Sequence, residues 1–317
     1  MAAVHAVRAS SLSAGAARAV TAASSCAVSR STACRAVFSR VPAARSVART
    51  PTFLGGAAKL PVVQAVKTAT RQICSSTIRS KYVVKTEGAP DSLEFRAFIQ
   101  DDEGNTVSPW HDIPLKAGDG LYNFICEIPK ETKAKMEVAT DESSTPIKQD
   151  TKKGKLRFYP YNINWNYGML PQTWEDPSHA NPDVKNSLGD NDPVDVVEIS
   201  DRVAEIGEVY AVKPLAVLAM IDEGELDWKV VAIRADDPKA DKVSDIEDVE
   251  REFPGTLEAI RVWFRDYKTP DGKPQNEFGF DDKPQSAAYA KKVIEETNQF
   301  WSKLVTRVTD KGDLSLV

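Results

Sequence analysis

Residues 206–233 have the sequence IGEVYAVKPLAVLAMIDEGELDWKVVAI. Apolar or β-branched runs cover 206–212, 215–221 and 228–233, and Pro214 and an Asp-Glu-Gly turn separate them. Short runs of this kind between turn residues are typical of strands. The stretch therefore predicts three strands and indicates that this part of the chain is built mainly from β-structure.

Similar strand patterns lie upstream of this stretch. Residues 93–99 (LEFRAFI) alternate between apolar and polar side chains, and the turn sequence DDEGN follows at 101–105. Residues 122–128 (YNFICEI) and 134–139 (AKMEVA) also read as strands, on either side of Pro129. Many short strands with turns between them predict a closed or nearly closed barrel.

Two segments have the pattern of helices. Residues 245–253 begin after Ser244, with Ser244 and Asp245 as candidate N-caps, and stop before Pro254. Residues 287–305 place apolar side chains at helical spacing, at Ala290, Val293, Ile294, Phe300, Trp301 and Leu304. The expected fold is mainly β, or α+β, with a barrel core and flanking helices. No linker divides residues 82–317, so we expect one domain over 76–317.

Composition narrows the class of protein. The chain has 317 residues, of which 42% are hydrophobic and 27% charged, as in globular proteins. It has no run of about 18 apolar residues, which argues against a membrane span. Four cysteines in a chain of this length are too few for a disulfide framework. These features predict a globular protein without a membrane partner.

Charge is distributed unevenly along the chain. Residues 1–86 hold 13 Lys and Arg and no acid, whereas the remainder has a net charge of −18. The first fifty residues contain 16 Ala, 9 Ser and 7 dispersed Arg, which is the composition of an organelle transit peptide. A basic tail that binds nucleic acid or membrane is the alternative. We expect a transit peptide over residues 1–75, directed to the plastid (the chloroplast stroma) or, as the alternative, to the mitochondrial matrix.

The densest group of acids is GDNDPVDVV at 189–197. It places Asp190, Asp192 and Asp195 within six residues, immediately before an apolar run. Three negative charges this close repel one another, and bound cations relieve that repulsion. Oxygen ligands favour Mg²⁺, Mn²⁺ or Ca²⁺ over Zn²⁺. The stretch fits a site for hard divalent cations, and an ordinary solvated acidic turn remains the alternative on spacing alone.

A second group of charges favours the cation site. In IDEGELDWK, Asp222 and Asp227 flank a turn and are expected to face each other across it, while Asp227 and Lys229 share a strand face. Lys135 and Glu137 repeat the arrangement of a cation beside a carboxylate. Carboxylates bind metals and the cations beside them bind phosphate oxygens, so this alternation suits a polyanion that carries metal ions. Each pair alone is more often a surface ion pair.

Further side chains could bind the same anion. Arg157 follows the basic turn Lys-Lys-Gly-Lys, and its guanidinium fits phosphate through two hydrogen bonds. Tyr167, Tyr267 and Lys268 lie next to glycine or proline turns and could donate from hydroxyl and amine groups. The alternatives are a solvated hairpin tip for Arg157 and partial burial for either tyrosine.

At these residues the sequence closely resembles a known family. It is similar to the eukaryotic form of the soluble inorganic pyrophosphatases of the first, Mg²⁺-dependent family. The resemblance runs from about Tyr82 to about Val305, nearly all of the chain beyond the predicted leader. The stretches that carry it are 110–115, 127–129, 149–158, 166–168, 171–177, 189–197, 226–233, 245–254 and 270–274.

The resemblance implies a five-stranded barrel core of OB type that hydrolyses diphosphate to two phosphates with several Mg²⁺ ions. It implies the following roles. The metal ligands are Asp190, Asp195 and Asp227, with Asp222 and Glu137 for further metals. The general base is Asp192, and Tyr167 is also catalytic. The phosphate donors are Lys135, Arg157, Tyr167, Lys229, Tyr267 and Lys268, and Glu127 is a further acid in the pocket.

One segment departs from the fungal members of the family. The segment at 158–166 is shorter, so the counterpart of the first pocket tyrosine is Tyr159 or Tyr161. The resemblance is compatible with a monomer or a homodimer. Two alternative functions share the fold: a non-catalytic acidic metal-binding or scaffold protein, and an oligonucleotide binder. The net charge of −18 argues against the oligonucleotide binder, so we expect no nucleic-acid partner.

The leader generates the first testable prediction. A reporter protein fused to residues 1–80 should enter an organelle, and deletion of residues 1–75 should leave folding and activity intact, because the acid-free segment has no core pattern. Fluorescence microscopy of the fusion and assay of the truncated protein test the two statements. Cytosolic retention of the reporter would contradict the targeting role.

Overall fold

The computed structural model describes residues 81–317, so the predicted transit peptide at 1–75 lies outside the described residues. The strands are β1 (Val83–Glu87), β2 (Arg96–Gln100), β3 (Thr106–Val107), β4 (Lys116–Gly118), β5 (Leu121–Ile128), β6 (Met136–Val138), β7 (Ile147–Gln149), β8 (Thr151–Lys152), β9 (Lys155–Leu156), β10 (Asn166–Met169), β11 (Ala180–Asn181), β12 (Ser187–Gly189), β13 (Asp195–Glu198), β14 (Val209–Asp222), β15 (Glu225–Arg234), β16 (Glu277–Phe278) and β17 (Gln285–Ser286). The α-helices are α1 (Ile246–Glu252), α2 (Thr256–Asp266) and α3 (Ala287–Val305).

Five strands close into a barrel. β15 pairs with β13, β13 with β10, β10 with β5 and β5 with β14, and β14 returns to pair with β15. Only the β13–β15 pairing in this ring is parallel. Closure leaves no free edge among these strands. The predicted five-stranded barrel core is therefore confirmed.

A second, smaller sheet is formed by strands that come before β10 in the chain. Its strands run β1-β2-β7-β6, with β3 paired to β2. β8 and β9 form a separate hairpin whose turn contains Lys153 and Gly154 in the left-handed conformation, at φ of 57° and 74°. The helical content is limited, and among residues 81–317 no helix combines the length and the apolar character that crossing a bilayer requires.

β14 joins two segments that the sequence interpretation kept apart. It runs through Pro214, where its pairing with β15 shifts register between Pro214 and Ala216. Val212 before the shift and Val217 after it belong to the same hydrophobic cluster, although their numbers differ in parity. Such a bulge tolerates proline and reverses which residues face each side of the sheet. The prediction of two strands over 206–221 is therefore wrong, because one bulged strand spans most of that stretch.

The predicted C-terminal helix is confirmed with the same bounds. In α3, Ala290, Val293 and Ile294 are buried in the cluster that contains Val217 of β14. The Ser286 hydroxyl caps the helix by accepting the backbone N–H of Tyr289 at 3.3 Å. The helix thus packs one apolar face onto the barrel.

Other predicted boundaries differ from the structure. β2 begins at Arg96 rather than Leu93, because a turn precedes it in which Phe95 N donates to Ser92 O at 3.2 Å. β6 is limited to Met136–Val138 within the predicted 134–139. α1 lies one residue inside the predicted bounds at each end, and Asp245, rather than Ser244, caps it.

One helix, α2, was absent from the sequence interpretation. Its buried residues Leu257, Ile260, Trp263 and Phe264 recur at helical spacing, so the signal was present. The Pro254-Gly255 pair immediately before it is a turn signal. α2 matters for the site because Tyr267, which lines the cavity described below, directly follows its last residue.

Gly168 of β10 provides a test of the barrel packing. A Cβ atom there would lie 2.0 Å from Ile125 O and 2.8 Å from Glu127 N, both in the backbone of β5. Gly168→Ala should therefore lower the free energy of unfolding by about 3 kcal/mol, the upper range for overpacking. Urea denaturation measures the loss.

Gly104→Ala is the control for this substitution. Gly104 has a φ of 85° and no neighbour within 4 Å of the place that a Cβ atom would occupy, so only the left-handed backbone is penalised. That penalty is about 1 kcal/mol. Equal losses in the two variants would show that close approach of β10 to β5 is not what requires glycine at 168.

Candidate active site

All the predicted site residues line one open cavity of about 370 Å³, which we call the acidic cavity. These residues are Glu127, Lys135, Glu137, Arg157, Tyr167, Asp190, Asp192, Asp195, Asp222, Asp227, Lys229, Tyr267 and Lys268. Tyr159, Met169 and Phe264 also line it. Residues up to 141 positions apart in the sequence, Glu127 and Lys268, therefore meet in one place.

Barrel strands position most of the charged groups. Tyr167 lies on β10, Asp195 on β13, Asp222 at the end of β14, and Asp227 and Lys229 on β15. The parallel pairing of β13 with β15 sets Asp195 directly beside Lys229. Asp190 and Asp192 lie in the turn between β12 and β13, and Glu137 lies on β6 of the smaller sheet.

The ammonium group of Lys229 lies at the centre of the cavity wall, with only 2% of its side chain exposed. It donates to Asp195 Oδ2 at 2.5 Å, to Tyr167 OH at 3.0 Å and to Asp227 Oδ1. Tyr167 in turn donates its hydroxyl proton to Asp195. Burial disfavours the charge on Lys229, but Asp195 and Asp227 outweigh burial and raise the pKa of Lys229 well above its usual range.

Crowding raises the pKa values of the neighbouring carboxyl groups. Desolvation inside the cavity, followed by the charges of Glu137 and Asp195, raises the pKa of Asp192 to about 7, although its side chain remains accessible from the cavity. Desolvation raises the pKa of Asp227 to about 7 in spite of Lys229. Asp190 has a pKa raised well above the usual value, by desolvation and then by Asp227. Positive charge brought into the cavity would stabilise the ionised forms of all three.

The turn at Asn191 lets two acids face the cavity. Asn191 has a φ of 75°, a left-handed conformation that asparagine tolerates better than most residues. Its N–H donates to Glu175 O at 3.0 Å, and its side-chain oxygen accepts the indole N–H of Trp174 at 3.2 Å. The backbone N–H of Asp192 donates to Asp190 Oδ1 at 3.1 Å. The sequence analysis did not single out Asn191.

Glu175 is a buried acid that the sequence interpretation missed. Its Oε1 accepts the backbone N–H of Trp228 at 2.9 Å, while its Oε2 is buried without a hydrogen-bond partner. Gly189 permits this arrangement, since a Cβ there would lie 2.5 Å from Glu175 O. In the sequence, Glu175 is one acid within the stretch PQTWEDP, and no neighbouring residue indicates its role.

Glu175 contributes to a group of oxygens that fits a metal ion. One carboxylate oxygen each from Glu175, Asp190 and Asp227 lie within 4.8 Å of one another. The unpartnered Oε2 of Glu175 and the purely carboxylate donor set suit a hard divalent cation. The residues present therefore fit the metal dependence that the resemblance implies.

Asp150 is the second acid that the sequence interpretation missed. It accepts from Arg157 Nη1 at 2.7 Å and contacts Lys135 Nζ at 3.1 Å. Lys135 also donates to Glu137 at 2.5 Å, so the predicted pairing of a cation with a carboxylate occurs here. Asp150 holds two cations in one orientation at the cavity wall.

The predicted pairing across the β14–β15 turn needs correction. Asp222 lies opposite Glu225, and Asp227 lies opposite Met220, so Asp222 and Asp227 do not face each other directly. Both still line the acidic cavity. Asp222 instead accepts from Lys268 and, at 3.1 Å, from the Tyr267 hydroxyl. The two acids serve different neighbours although they belong to one hairpin.

The remaining pocket residues are placed as follows. Glu127 is buried, and its Oε1 accepts Val138 N at 2.7 Å; burial and then Asp195 raise its pKa well above the usual value. Tyr159 is 5% exposed and lines the cavity, whereas Tyr161 is 40% exposed and is not part of the lining. The structure thus favours Tyr159 over Tyr161 as the first pocket tyrosine.

Comparisons with known proteins agree with this fold and cavity. The family model described as inorganic pyrophosphatase matches residues 124–302. The chain is 67% identical over 243 residues to soluble inorganic pyrophosphatase 6, chloroplastic, of Arabidopsis thaliana, covering 77% of this chain and 81% of that protein. It is 57% identical over 256 residues to soluble inorganic pyrophosphatase 1, chloroplastic, of Chlamydomonas reinhardtii, covering 80% of this chain and 89% of that protein.

A solved structure supports the same family. The crystal structure of type I inorganic pyrophosphatase from Toxoplasma gondii superposes with a TM-score of 0.68 at 44% identity, covering 70% of this chain and 99% of that one. These matches place the chain in a class of hydrolases. The chain belongs to the inorganic pyrophosphatase family, so the predicted family and OB-type fold are confirmed.

The left-handed turn generates a prediction about cation binding. Asn191→Ala places a methyl-bearing residue at φ 75°, which costs about 1–2 kcal/mol in the native turn. We expect the affinity for divalent cations to fall about tenfold, equivalent to about 1.4 kcal/mol. The shift of the melting temperature on titration with Mg²⁺ or Mn²⁺ measures that affinity.

Asn191→Gly is the matched control. Glycine removes the bond to Trp174 but accepts the left-handed backbone without strain. Cation affinity should therefore stay within about twofold to threefold of the wild type, a few tenths of a kcal/mol. If the two variants lose affinity equally, the Trp174 hydrogen bond rather than the backbone conformation positions the acids.

Proposed function

We propose that this chain hydrolyses inorganic diphosphate to two phosphate ions, with Mg²⁺ as its cation and Asp192 as the group that accepts a proton from the attacking water. Membership of the pyrophosphatase family defines the reaction class. The single observation that carries the proposal is the interleaving of acids and cations around one cavity. The identity of the metal and the role of each residue are the parts proposed here.

The cations of the cavity suit a substrate that consists of phosphate groups. Lys135, Arg157, Lys229 and Lys268 approach from different walls, and each already contacts a carboxylate. Those contacts keep the ammonium and guanidinium groups oriented before substrate arrives, which reduces the reorganisation that binding requires. An anion with oxygens at both ends would meet a donor on each side.

Most acids of the cavity are proposed metal ligands. These ligands are Asp190, Asp195 and Asp227, with Asp222 and Glu137 for further ions. Glu175 supports Asp190 and Asp227. Divalent cations held there would supply charge that neutralises diphosphate oxygens and would lower the pKa of the attacking water. The donors are all hard oxygens, which suit Mg²⁺, Mn²⁺ or Ca²⁺. Among these ions, the family resemblance is what favours Mg²⁺.

Asp192 suits the role of proton acceptor. It is accessible from the cavity, and its backbone N–H, bonded to Asp190, holds it in the turn. Desolvation and the charges of Glu137 and Asp195 raise the pKa of Asp192 to about 7 before cations bind. Bound cations would lower that pKa and keep Asp192 ionised, as a proton acceptor must be. Protonation of Asp192 at lower pH would abolish this capacity, so activity should fall as the pH drops.

The tyrosines and the remaining cations act on charge that develops during the reaction. Tyr167, held by Lys229 and Asp195, and Tyr267, held by Asp222, direct hydroxyl groups toward the cavity. Arg157, held by Asp150, presents a planar donor that matches two phosphate oxygens. These groups stabilise negative charge on the departing phosphate. A non-catalytic metal-binding or scaffold protein would not need this set of donors.

The proposal extends to location and domain organisation. The two plant-type relatives described above are named chloroplastic, which supports a plastid location over the mitochondrial matrix. We propose residues 1–75 as the transit peptide and 76–317 as one catalytic domain.

Two variants separate the proton acceptor from a metal ligand. Asp192→Asn keeps the shape but removes the acceptor, so hydrolysis should fall by about 10²–10⁴, the usual effect of losing a general base. Cation affinity should change little, and the acid limb of the pH–rate profile should move. Asp195→Asn removes the negative charge of a proposed metal ligand, so cation affinity should fall together with turnover.

Titration of both variants with Mg²⁺, with phosphate release as the measurement, distinguishes the roles. Excess Mg²⁺ should recover part of the activity of Asp195→Asn and none of that of Asp192→Asn. Asp119→Asn, at an exposed position outside the acidic cavity, serves as the control and should behave as wild type. Rescue of Asp192→Asn alone by excess Mg²⁺ would mean that the two roles are reversed.

A further inference from the structure

Two surface segments carry proposed phosphate donors into the acidic cavity. The hairpin of β8 and β9, residues 151–156, leads directly into Arg157. The second segment follows α2, where the chain passes from Lys268 into a short 3₁₀ turn at Thr269–Asp271. Arg157 and Lys268 both line the cavity. The positions of these two segments therefore set how far apart the two donors lie.

The β8–β9 hairpin has few ties to the rest of the protein. Its strands pair with each other as a separate two-stranded sheet, an arrangement that is marginally stable on its own. Within the part of the chain that the structure describes, Lys152 makes the only side-chain hydrogen bond or ion pair of residues 151–156. Its ammonium group donates to Asp271 Oδ2 at 2.8 Å. This ion pair therefore joins the outer part of the hairpin to the turn after Lys268.

The same two segments also meet on their buried side. Tyr159, two residues after Arg157, and Tyr267, immediately before Lys268, place their rings edge to face with centroids 5.6 Å apart. These tyrosines are only 5% and 8% exposed, whereas the two side chains of the ion pair are 50% and 57% exposed. Along both segments, the phosphate donor thus lies between a buried ring contact and an exposed ion pair.

Charge also links the ion pair to Arg157. The hydrogen bond from Lys152 lowers the pKa of the Asp271 carboxyl below its ordinary value, and the charge of Arg157 lowers it further. Asp271 therefore stays ionised at neutral pH and lies close enough to Arg157 for the two charges to interact. Because an exposed ion pair is weak, it can fix a resting position and still open when ligands enter or leave.

We propose that Lys152 and Asp271 are positioning residues for the diphosphatase reaction: their ion pair sets the separation of Arg157 and Lys268 before the substrate binds. The inference rests on the function proposed above. Neither Lys152 nor Asp271 lines the acidic cavity, so they act through the two donors and not on the substrate itself. Donors that are held in place in advance need less ordering when the substrate binds.

Neutralising either partner should weaken substrate binding and leave the chemical step intact. In Lys152→Gln and in Asp271→Asn, we expect KM for diphosphate with Mg²⁺ to rise about fivefold, the upper effect of one exposed ion pair, and kcat to stay unchanged. The groups proposed for the chemical step, such as Asp192 and Tyr167, belong to other elements. The double variant should be no worse than either single variant, because both substitutions remove one shared interaction. A fall in kcat with KM unchanged would overturn the positioning role.

Exchanging the two charges provides the rescue experiment. The variant that combines Lys152→Asp with Asp271→Lys restores an ion pair of opposite polarity at the same net charge, so its KM should return to within about twofold of wild type. Lys152→Asp alone sets two acids against each other and should raise KM more than Lys152→Gln does. If the exchanged pair has a KM as high as that of Lys152→Asp alone, the ion pair does not position the donors and the proposal is overturned.

Lys153→Gln is the matched control. Lys153 is the next residue of the same hairpin, is exposed and forms no ion pair with any residue that the structure describes. The substitution removes the same charge without breaking a contact, so KM should equal that of wild type. If Lys153→Gln raises KM as much as Lys152→Gln, the positive charge of the hairpin attracts diphosphate, and the ion pair has no positioning role.

Proteolysis measures the ion pair independently of activity. Asp271→Asn keeps every lysine of the hairpin, so trypsin has the same hairpin sites in the variant and in the wild type. Cleavage after Lys153 and Lys155, identified by mass spectrometry, should be about twofold to fivefold faster in Asp271→Asn, because the freed hairpin opens more often. Equal cleavage rates would show that the ion pair does not hold the hairpin, which would overturn the proposal.

The two kinds of measurement separate this inference from the function on which it depends. If wild type does not hydrolyse diphosphate, the proposed function is wrong and the positioning role falls with it, whatever the cleavage rates show about the hairpin. If wild type hydrolyses diphosphate and KM is the same in Lys152→Gln, Asp271→Asn and the control, only the inference is wrong.

Discussion

Several carboxyl groups crowd into one cavity, and the buried ammonium group of Lys229 contacts two of them directly. Without that cation the acids of β13 and β15 would repel each other across paired strands, because like charges in a desolvated site disfavour ionisation. With it, Asp195 and Asp227 hold fixed positions, and Tyr167 joins the same network. The elevated pKa values of the acids around it leave a demand for further positive charge, which divalent cations would meet.

The barrel is what makes this arrangement stable. β15 pairs with both β13 and β14, so the backbone around Lys229 is hydrogen-bonded on both sides. The bulge at Pro214 brings the last residues of β14, including Asp222, to the cavity side. Close backbone contacts at Gly168 and Gly189 remove the space that a side chain would need. A rigid frame of this kind holds charged groups in position before a ligand arrives.

Much of this architecture could be predicted from local pattern. Helix α3 and the β-structure of residues 206–233, though not its division into strands, follow from the spacing of apolar residues. The acids of GDNDPVDVV and the family resemblance predicted a set of residues that the structure brings together in one cavity. Helix α2 also had a readable pattern of apolar residues, which the sequence analysis did not use. Glu175 and Asp150 were missed for another reason: each acquires its role from partners that the neighbouring sequence does not contain.

The sequence by itself determined the family, the barrel class and the acids and cations available, because these depend on residue types, turn residues and short periodicities. Only the tertiary structure decided which of those groups meet. Asp195 lies beside Lys229 through parallel strand register, and Tyr159 rather than Tyr161 reaches the cavity through burial. Strand register and burial depend on contacts between residues far apart in the chain, which local patterns do not specify.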